Sequence, residues 1–498
     1  MSLYLGLDIS TTAAKALVID SGGRVISSVS NAVESSQPHP LWSEQDPRAW
    51  WSSMSRSIGA ALSASDGGRV SAIGLTGQMH GLVILDSASQ VIRPAILWND
   101  QRTGEQCERI RQTIGRDRLI QLTGNEALTG FTAPKLLWVR ENEPEAYARI
   151  RQVLLPKDYI RFCLTGEYAT DLAGASGTLL MDVANRRWAQ EMLEALEIPP
   201  AWLPPTHEGT DQTGVVGPQA ARETGLREGT PVFAGGGDQS AQAVGVGAVT
   251  PDVVALTLGT SGVVFAPCAK YTYDANGRLH AFCHAVPGQW HLMGVMLSAA
   301  GALQWYRDNV AGGVDFGVLD KEASTVAPGA GGLVFLPYLS GERTPYPDPT
   351  ARGAFVGLTT RHTRAHLTRA VMEGVAFGLR DNMELMRQAG ITPRAVRASG
   401  GGVRSPVWRQ ILADVLEADI VTVSSAEGAA FGAALLAAVG VGDFGSVAEA
   451  CARTVRETGR TEPGEGVERY REYHARYRAL YPALAAEFAA LSRLSDAG

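Results

Sequence analysis

The chain opens on an apolar run, Leu3-Tyr4-Leu5-Gly6-Leu7, that ends in the carboxylate Asp8, and this pattern predicts a strand. A polar tip, Ser10-Thr11-Thr12, leads to a second strand over residues 15–19. The turn signal Ser21-Gly22-Gly23 then precedes a third strand over 24–29. A related design returns at mid-chain. Residues 253–258 are apolar, Gly259-Thr260-Ser261-Gly262 forms a small polar tip, and Val263-Val264-Phe265 leads away as another strand. Two halves that each present a Thr/Ser/Gly tip predict a duplicated α/β fold with a nucleotide clamped between them. The boundary is expected near 247–251, giving domains 1–248 and 249–498.

Helical periodicity fills the rest. Pro47 enters a helix that holds Trp50 and Trp51. Leu367, Val371, Val375, Leu379 and Met383 recur every four residues, and that helix should stop near Gly390, with Pro393 beyond it. The apolar stretch 428–442 is rich in Ala and Gly and too short to span a bilayer, so it predicts a buried helix and turn. The last thirty or so residues predict one amphipathic helix and a frayed tail.

Composition adds bounds. Of 498 residues, 45% are hydrophobic and 19% charged, an ordinary globular balance with material for more than one core. The net charge of −7 excludes a basic nucleic-acid surface but leaves a nucleotide partner open, because phosphate sites rely on local N–H groups and a metal. Five widely spaced cysteines, with no C-x-x-C pair, predict buried reduced thiols instead of a disulfide framework or zinc site. No basic residue precedes Lys15 and Asp8 breaks the first apolar run, so no signal peptide is expected. A soluble cytoplasmic enzyme is the expected class.

Common catalytic signatures are mostly missing. None of the five lysines follows a glycine, so no Walker P-loop can be written, and no H-E-x-x-H, G-x-S-x-G or H-R-D segment occurs. One G-x-G-x-x-G, at Gly440, Gly442 and Gly445, follows a helix instead of opening one after a strand, and so predicts a flexible loop.

Four segments carry positive chemistry. Asp8 beside Ser10, Thr11 and Thr12 can hold hydrated Mg²⁺ next to phosphate oxygens; taken alone, a carboxylate satisfying a tight turn is the plainer reading. Residues 232–234 run into Gly235-Gly236-Gly237-Asp238, then a small-residue helix near Ser240. Three glycines are costly unless something approaches the backbone closely, and Asp238 is either a helix cap or a general base for a substrate hydroxyl. Gly400-Gly401-Gly402, followed by Ser405, opens a helix from Pro406 and suits a flat ring or a phosphate, or merely caps that helix. Thr76-Gly77-Gln78-Met79-His80-Gly81 ends a strand over 70–75; His80 is either an ordinary half-buried histidine or a partner for a sugar hydroxyl.

Together these segments resemble the FGGY carbohydrate kinases, and within that family the branch that acts on xylulose. The resemblance runs from Leu5 to about Gly442. It includes both family signature stretches, Gly130-Phe131-Thr132-Ala133-Pro134-Lys135-Leu136-Leu137-Trp138 and Gly353-Ala354-Phe355-Val356-Gly357-Leu358 continuing to Glu373. The branch is carried by runs such as Gly77-Gln78-Met79-His80-Gly81, Pro94-Ala95-Ile96-Leu97-Trp98-Asn99-Asp100 and Gly341-Glu342-Arg343-Thr344-Pro345.

The resemblance implies a ribonuclease-H-like, actin-like duplicated fold, with ATP and Mg²⁺ in a cleft between two domains. It implies Asp238 as catalytic base and Asp8 at the Mg²⁺–phosphate region. The sugar is expected against Met79, His80 and Asp238, with Trp98, Asp100 and Arg102 nearby. ATP is expected against Thr11, Thr12 and Lys15 on the first hairpin, Gly259 and Thr260 on the second, and Gly401, Gly402 and Ser405. Met-His, where glycerol kinases carry an Arg-Glu pair, favours a ketopentose, with D-xylulose first and ribulose or another polyol as the alternative. The implied partners are the ketose and ATP, with no nucleic acid or membrane, and a homodimer stays open. One departure is expected to matter: Ser10 stands where the family's first loop has Gly, and Ser takes positive φ less cheaply, so the loop should be shaped differently. Two other classes remain open. They are an actin- or chaperone-like ATP switch, which needs no Asp238 or sugar pocket, and a catalytically silent sugar sensor, disfavoured by having both Asp8 and Asp238.

Overall fold

The computed structural model describes residues 2–65, 69–424 and 427–496. Its frame is two sheets built on one plan. In the first, the strands lie in the order Gln212–Val215, Pro231–Gly237, Val70–Gly77, Leu3–Ile9, Ala13–Asp20, Val25–Ala32. Leu3–Ile9 runs parallel to Val70–Gly77, which runs parallel to Pro231–Gly237, while the next two form the antiparallel meander anticipated from the sequence. The second sheet repeats the arrangement. Val253–Leu258 is parallel to Ala395–Ser399 and then Asp419–Val423, and antiparallel to Gly262–Cys268, with Trp290–Met296 beyond it.

Both faces of the first sheet are covered, which explains why its parallel strands are near-continuously apolar. Leu5, Leu7 and Ile9 pack with Trp50, Met54 and Ile58 of helix Pro47–Ser63, which Asp46 caps by accepting from the Arg48 N–H at 3.0 Å. On the other face, Tyr4, Ala72 and Phe233 meet Ala430, Ala434 and Ala437 of helix Gly428–Gly440. That helix is the apolar Ala/Gly stretch, and it crosses from the second half onto the first sheet. The first half reciprocates: helix Asp238–Gly245 places Ala243 against Ala255 and Phe265.

The four-residue repeat forms helix Arg364–Gln388, followed by Gly390 at φ 87°. The amphipathic end forms helix Val467–Asp496, and the expected frayed tail lies outside the described residues. Gly440 ends its helix with a Cβ position 2.3 Å from the Phe233 ring, so the G-x-G-x-x-G segment begins as a packing contact. All five cysteines are free thiols, four buried and Cys163 half-buried. Among the described residues no helix is long and apolar enough to cross a membrane.

Candidate active site

The parallel strands of the first sheet end together, and ligands in such sheets collect beyond those carboxyl ends. Asp8 pairs across to Thr76, and Thr76 to Gly236, so Asp8 and the end of the strand that Asp238 follows are separated by one neighbour, and both carboxylates stand near the same edge. Desolvation pushes Asp8 up to about 6, opposed by Lys15, its antiparallel partner. Desolvation and then the Asp8 charge push Asp238 up to about 7. Burial and the neighbouring Asp8 charge together poise Asp238 to take a proton near neutral pH. Asp238 is the first residue of its helix and not the cap; Gly237 holds that position.

The triple glycine has a packing cause. A Cβ on Gly235 (φ 70°) would lie 1.7 Å from the Leu75 carbonyl, one on Gly236 2.7 Å from the Ala285 methyl, and one on Gly237 2.6 Å from the Met79 sulfur. The close approach expected from the sequence is therefore made by the protein itself, and it lets Met79 lie directly beside Asp238's strand.

Met79 and His80 follow the central strand. His80 adopts a left-handed backbone, φ 67°, unusual for a residue with a side chain. The first signature helix, Thr132–Asn142, supplies the restraint: the buried Lys135 ammonium donates to the His80 carbonyl at 2.9 Å and the Gly130 carbonyl at 2.6 Å, and the Thr132 hydroxyl donates to His80 at 3.1 Å. The His80 ring stands edge-on to Phe131, 4.9 Å between centroids, and its Nδ1 lies 2.6 Å from the Gly177 carbonyl. Burial drives its pKa down to about 3, so the imidazole is neutral.

A pocket of about 120 Å³ lies here, bounded by Met79, His80, Trp98, Phe131 and Asp238 from the first half and by Ser261, His280 and Arg343 from the second. Its size suits a sugar of a few carbons. A second cavity of about 610 Å³, large enough for a nucleotide, lies between Gly259-Thr260 and Gly401-Gly402, with Leu303, Phe316, Met372 and Trp408 offering apolar surface to a flat ring. The Gly259-Thr260-Ser261 tip borders both spaces, so one hairpin separates a small polar pocket from a larger one.

The first tip is braced from behind. The Gln45 amide donates to the Thr11 carbonyl at 2.6 Å and accepts from Trp50 Nε1 and Gln78 Nε2; Trp98 Nε1 donates to the Thr11 hydroxyl at 2.9 Å. Thr12 is exposed at the tip. Ser10 causes no strain. It is not among the positive-φ residues, and its hydroxyl folds back, donating to the Ala13 carbonyl at 3.0 Å. The loop is therefore a closed turn that the Ser10 hydroxyl itself ties, a bond that the family's Gly could not make.

Several expected ligand residues have other work. Asp100 and Arg102 are buried away from the pocket. Arg102 pairs with Asp100 at 2.7 Å and Glu44 at 2.8 Å and lies 3.6 Å over the Trp42 ring, while Asp100 accepts from the Ser43 N–H. Their charges are satisfied within the scaffold, so they support the wall behind Trp98 and do not face the sugar. Lys15 pairs with Glu427 at 3.0 Å and lines neither cavity. Ser405 borders the larger cavity, but its hydroxyl caps helix Pro406–Leu416, accepting from Trp408 N–H at 2.9 Å and donating to Asp320. Gly401 faces open space, whereas Gly402 is there for packing: its Cβ would meet Leu258 at 2.4 Å. Sequence reading missed Phe131, His280 and Arg343 as lining residues. Phe131 and Arg343 stood inside the matched runs; His280 carried no signal.

The N-terminal domain of the FGGY family of carbohydrate kinases matches residues 3–245, and its C-terminal domain matches 254–441. The chain belongs to this family. Among FGGY relatives, the xylulose kinase of Escherichia coli K12 is 41% identical over 97% of this chain and 99% of its own. The Klebsiella pneumoniae xylulose kinase is 44% identical over 89% and 90%. The crystal structure of Rhodospirillum rubrum xylulose kinase superposes with a TM-score of 0.92 at 33% identity, covering 98% of this chain and 99% of that one. As an FGGY member, the protein is an ATP-dependent sugar kinase with the duplicated actin-like, ribonuclease-H-like fold, which removes the switch and sensor readings.

Proposed function

We propose that this FGGY kinase transfers the γ-phosphoryl group of ATP to the C5 hydroxyl of D-xylulose, in the cytoplasm, with lobes 1–248 and 249–498 closing on the reactants. The observation that carries the reading is the shared hairpin tip between a small pocket ending at Asp238 and a nucleotide-sized cavity. The relatives named above agree in substrate.

Asp238 orients the hydroxyl and takes its proton as the C5 oxygen bonds to phosphorus and the bond to the ADP oxygen breaks. The tips at Thr12 and Thr260 offer N–H and O–H donors to phosphate oxygens, and closure excludes water. The site suits Mg²⁺: the Asp8 Oδ1 atom is buried without a hydrogen-bond partner, and this ion characteristically takes one or two carboxylates beside substrate phosphates. When bound, it would neutralise charge on the phosphates, with Asp8 as its protein contact and Asp238 nearby.

The test is ADP release across ketoses and polyols. D-Xylulose should give the highest kcat/KM; better use of glycerol, L-ribulose or gluconate would overturn the substrate while leaving the kinase. His80→Ala removes one neutral partner from the pocket. It should raise KM for D-xylulose roughly 10- to 100-fold, with KM for ATP changing less than about threefold. Equal changes in both constants would place His80 outside the sugar pocket.

A further inference from the structure

The sugar pocket can be described as a set of donors and acceptors. A carbonyl oxygen only accepts, so His80 Nδ1, 2.6 Å from the Gly177 carbonyl, carries the proton. Its other nitrogen, Nε2, is then a lone-pair acceptor with no partner among the described residues. The same logic fixes His280. The Asn125 amide nitrogen donates to the carbonyls of Thr123, at 2.7 Å, and Ala281, at 2.9 Å, so its oxygen is the atom 3.0 Å from His280 Nδ1. His280 therefore also donates from Nδ1 and leaves Nε2 as an acceptor. With the Asp238 carboxylate, the wall offers three acceptors, each suited to a hydroxyl proton. Trp98 Nε1 is already committed to Thr11.

Arg343 stands apart. Asp238 and Arg343 are the charged residues that line the pocket, since the histidines are neutral. The adjacent carboxylate does not pair with the Arg343 side chain: Glu342 Oε1 turns back to accept from the N–H groups of Leu297, at 3.0 Å, and Arg343, at 2.7 Å. The loop is pinned by Thr344, whose hydroxyl donates to the Arg278 carbonyl at 2.9 Å and whose N–H donates to Val295 at 3.1 Å. The guanidinium thus has no hydrogen-bond or ion-pair partner among the described residues; desolvation opposes its charge, and only the through-space attraction of Glu342 favours it. A donor-only group held this way requires an acceptor from the ligand.

Sugar chemistry supplies one. A 2-ketopentose closes into a furanose by joining its C5 oxygen to C2, so the form with a C5 hydroxyl free for phosphorylation is the open chain with a free C2 carbonyl. That carbonyl is the one oxygen of the substrate that cannot donate. An open-chain 2-ketopentose carries four hydroxyls and one ketone: each of the three acceptors can take a hydroxyl proton, and the one cation suits the ketone, the only oxygen with no proton to give.

We propose that Arg343, brought by the second half of the chain, is the specificity-determining residue that binds the C2 carbonyl oxygen of the open-chain ketose. The inference rests on the ketose reading above and names the group that separates a ketose from the polyol of equal length.

The experiment compares D-xylulose with the pentitols made by reducing its C2, xylitol and D-arabinitol, in Arg343→Met, Arg343→Gln and Arg343→Lys. The parent enzyme tests the substrate reading by itself: it must prefer D-xylulose over other ketoses and polyols. For the inference, Arg343→Met should raise KM for D-xylulose roughly 10- to 100-fold and change KM for the pentitols less than about threefold, with KM for ATP within about twofold. Arg343→Lys should recover part of the ketose preference. If Arg343→Met fails to fold, Arg343→Gln, which keeps a neutral donor, is read against the same numbers. Equal losses for ketose and pentitol, or an unchanged KM for D-xylulose, overturn the proposal, as does a D-xylulose complex whose C2 oxygen lies beyond hydrogen-bond reach of the guanidinium.

Discussion

Asp238→Asn should lower kcat by about 10²–10⁴-fold while leaving KM for D-xylulose within a few-fold of the parent. Asn keeps the shape and one acceptor of Asp but cannot take up the proton that leaves the C5 hydroxyl. The position makes the substitution clean. The side chain starts its helix and accepts one local bond, from Gln239 N–H at 2.8 Å, which an amide oxygen can still accept. The glycines behind it have packing partners of their own, so the backbone should not shift. Turnover near the parent's would remove Asp238 from the proton-transfer role, and steady-state ADP release with saturating ATP decides it.

The same residue sets the pH profile. An ionised base is required, so kcat/KM for the sugar should be flat above Asp238's value of about 7 and fall as pH drops. One ionisation gives roughly a tenfold loss per pH unit below that value. His80, neutral down to about 3, contributes nothing to this limb. A profile level from pH 8 to pH 5 would contradict the assignment of Asp238 as the base.

How much of this the sequence declared depends on how local each signal was. The two hairpins and the Asp at the end of a strand and triple glycine were legible because strand, tip and carboxylate are contiguous. The same was true of Met79 and His80, whose place at a strand end follows from the run before them. Asp100 and Arg102 misled because a short run names residues without saying which way they face; the Trp42 ring and Glu44 that engage Arg102 lie some sixty residues upstream. His280 and Arg343 reach the pocket from the second half, a pairing that exists only after both sheets form. Ser10 was legible only in part: glycine's freedom in φ is a rule about backbone, whereas the hydroxyl that closes this turn on Ala13 shows only in the folded chain. Gly235, Gly236 and Gly237 drew attention as a ligand's approach, when the groups approaching were Leu75, Ala285 and Met79, all of them distant in sequence.

Gly6→Ala should destabilise the protein by about 3 kcal/mol or more, lowering Tm by roughly 6–12 °C, and should reduce kcat as well. Gly6 lies in mid-strand with ordinary backbone angles, so neither turn chemistry nor positive φ explains it. Its reason is on the far side of the chain. A methyl there would stand 1.8 Å from the Ala430 carbonyl oxygen and 3.2 Å from the Ala434 nitrogen, both backbone atoms of helix Gly428–Gly440. No rotamer change relieves a contact with backbone, so the helix must lift from the sheet. Gly74, on the neighbouring strand, meets the Ala433 carbonyl at 1.9 Å, so the helix is seated on two glycines and cannot slide aside. Asp8 follows Gly6 by two residues and projects on the same face of the strand, which makes displacement of the helix a displacement at the carboxylate edge as well. Gly104→Ala is the control: its Cβ would meet nothing within 4 Å at the exposed first residue of a helix, and it should change stability by less than about 0.5 kcal/mol. If thermal melting shows Gly6→Ala to be as harmless as Gly104→Ala, the close seating of the second half's helix on the first sheet is not what holds the two halves together.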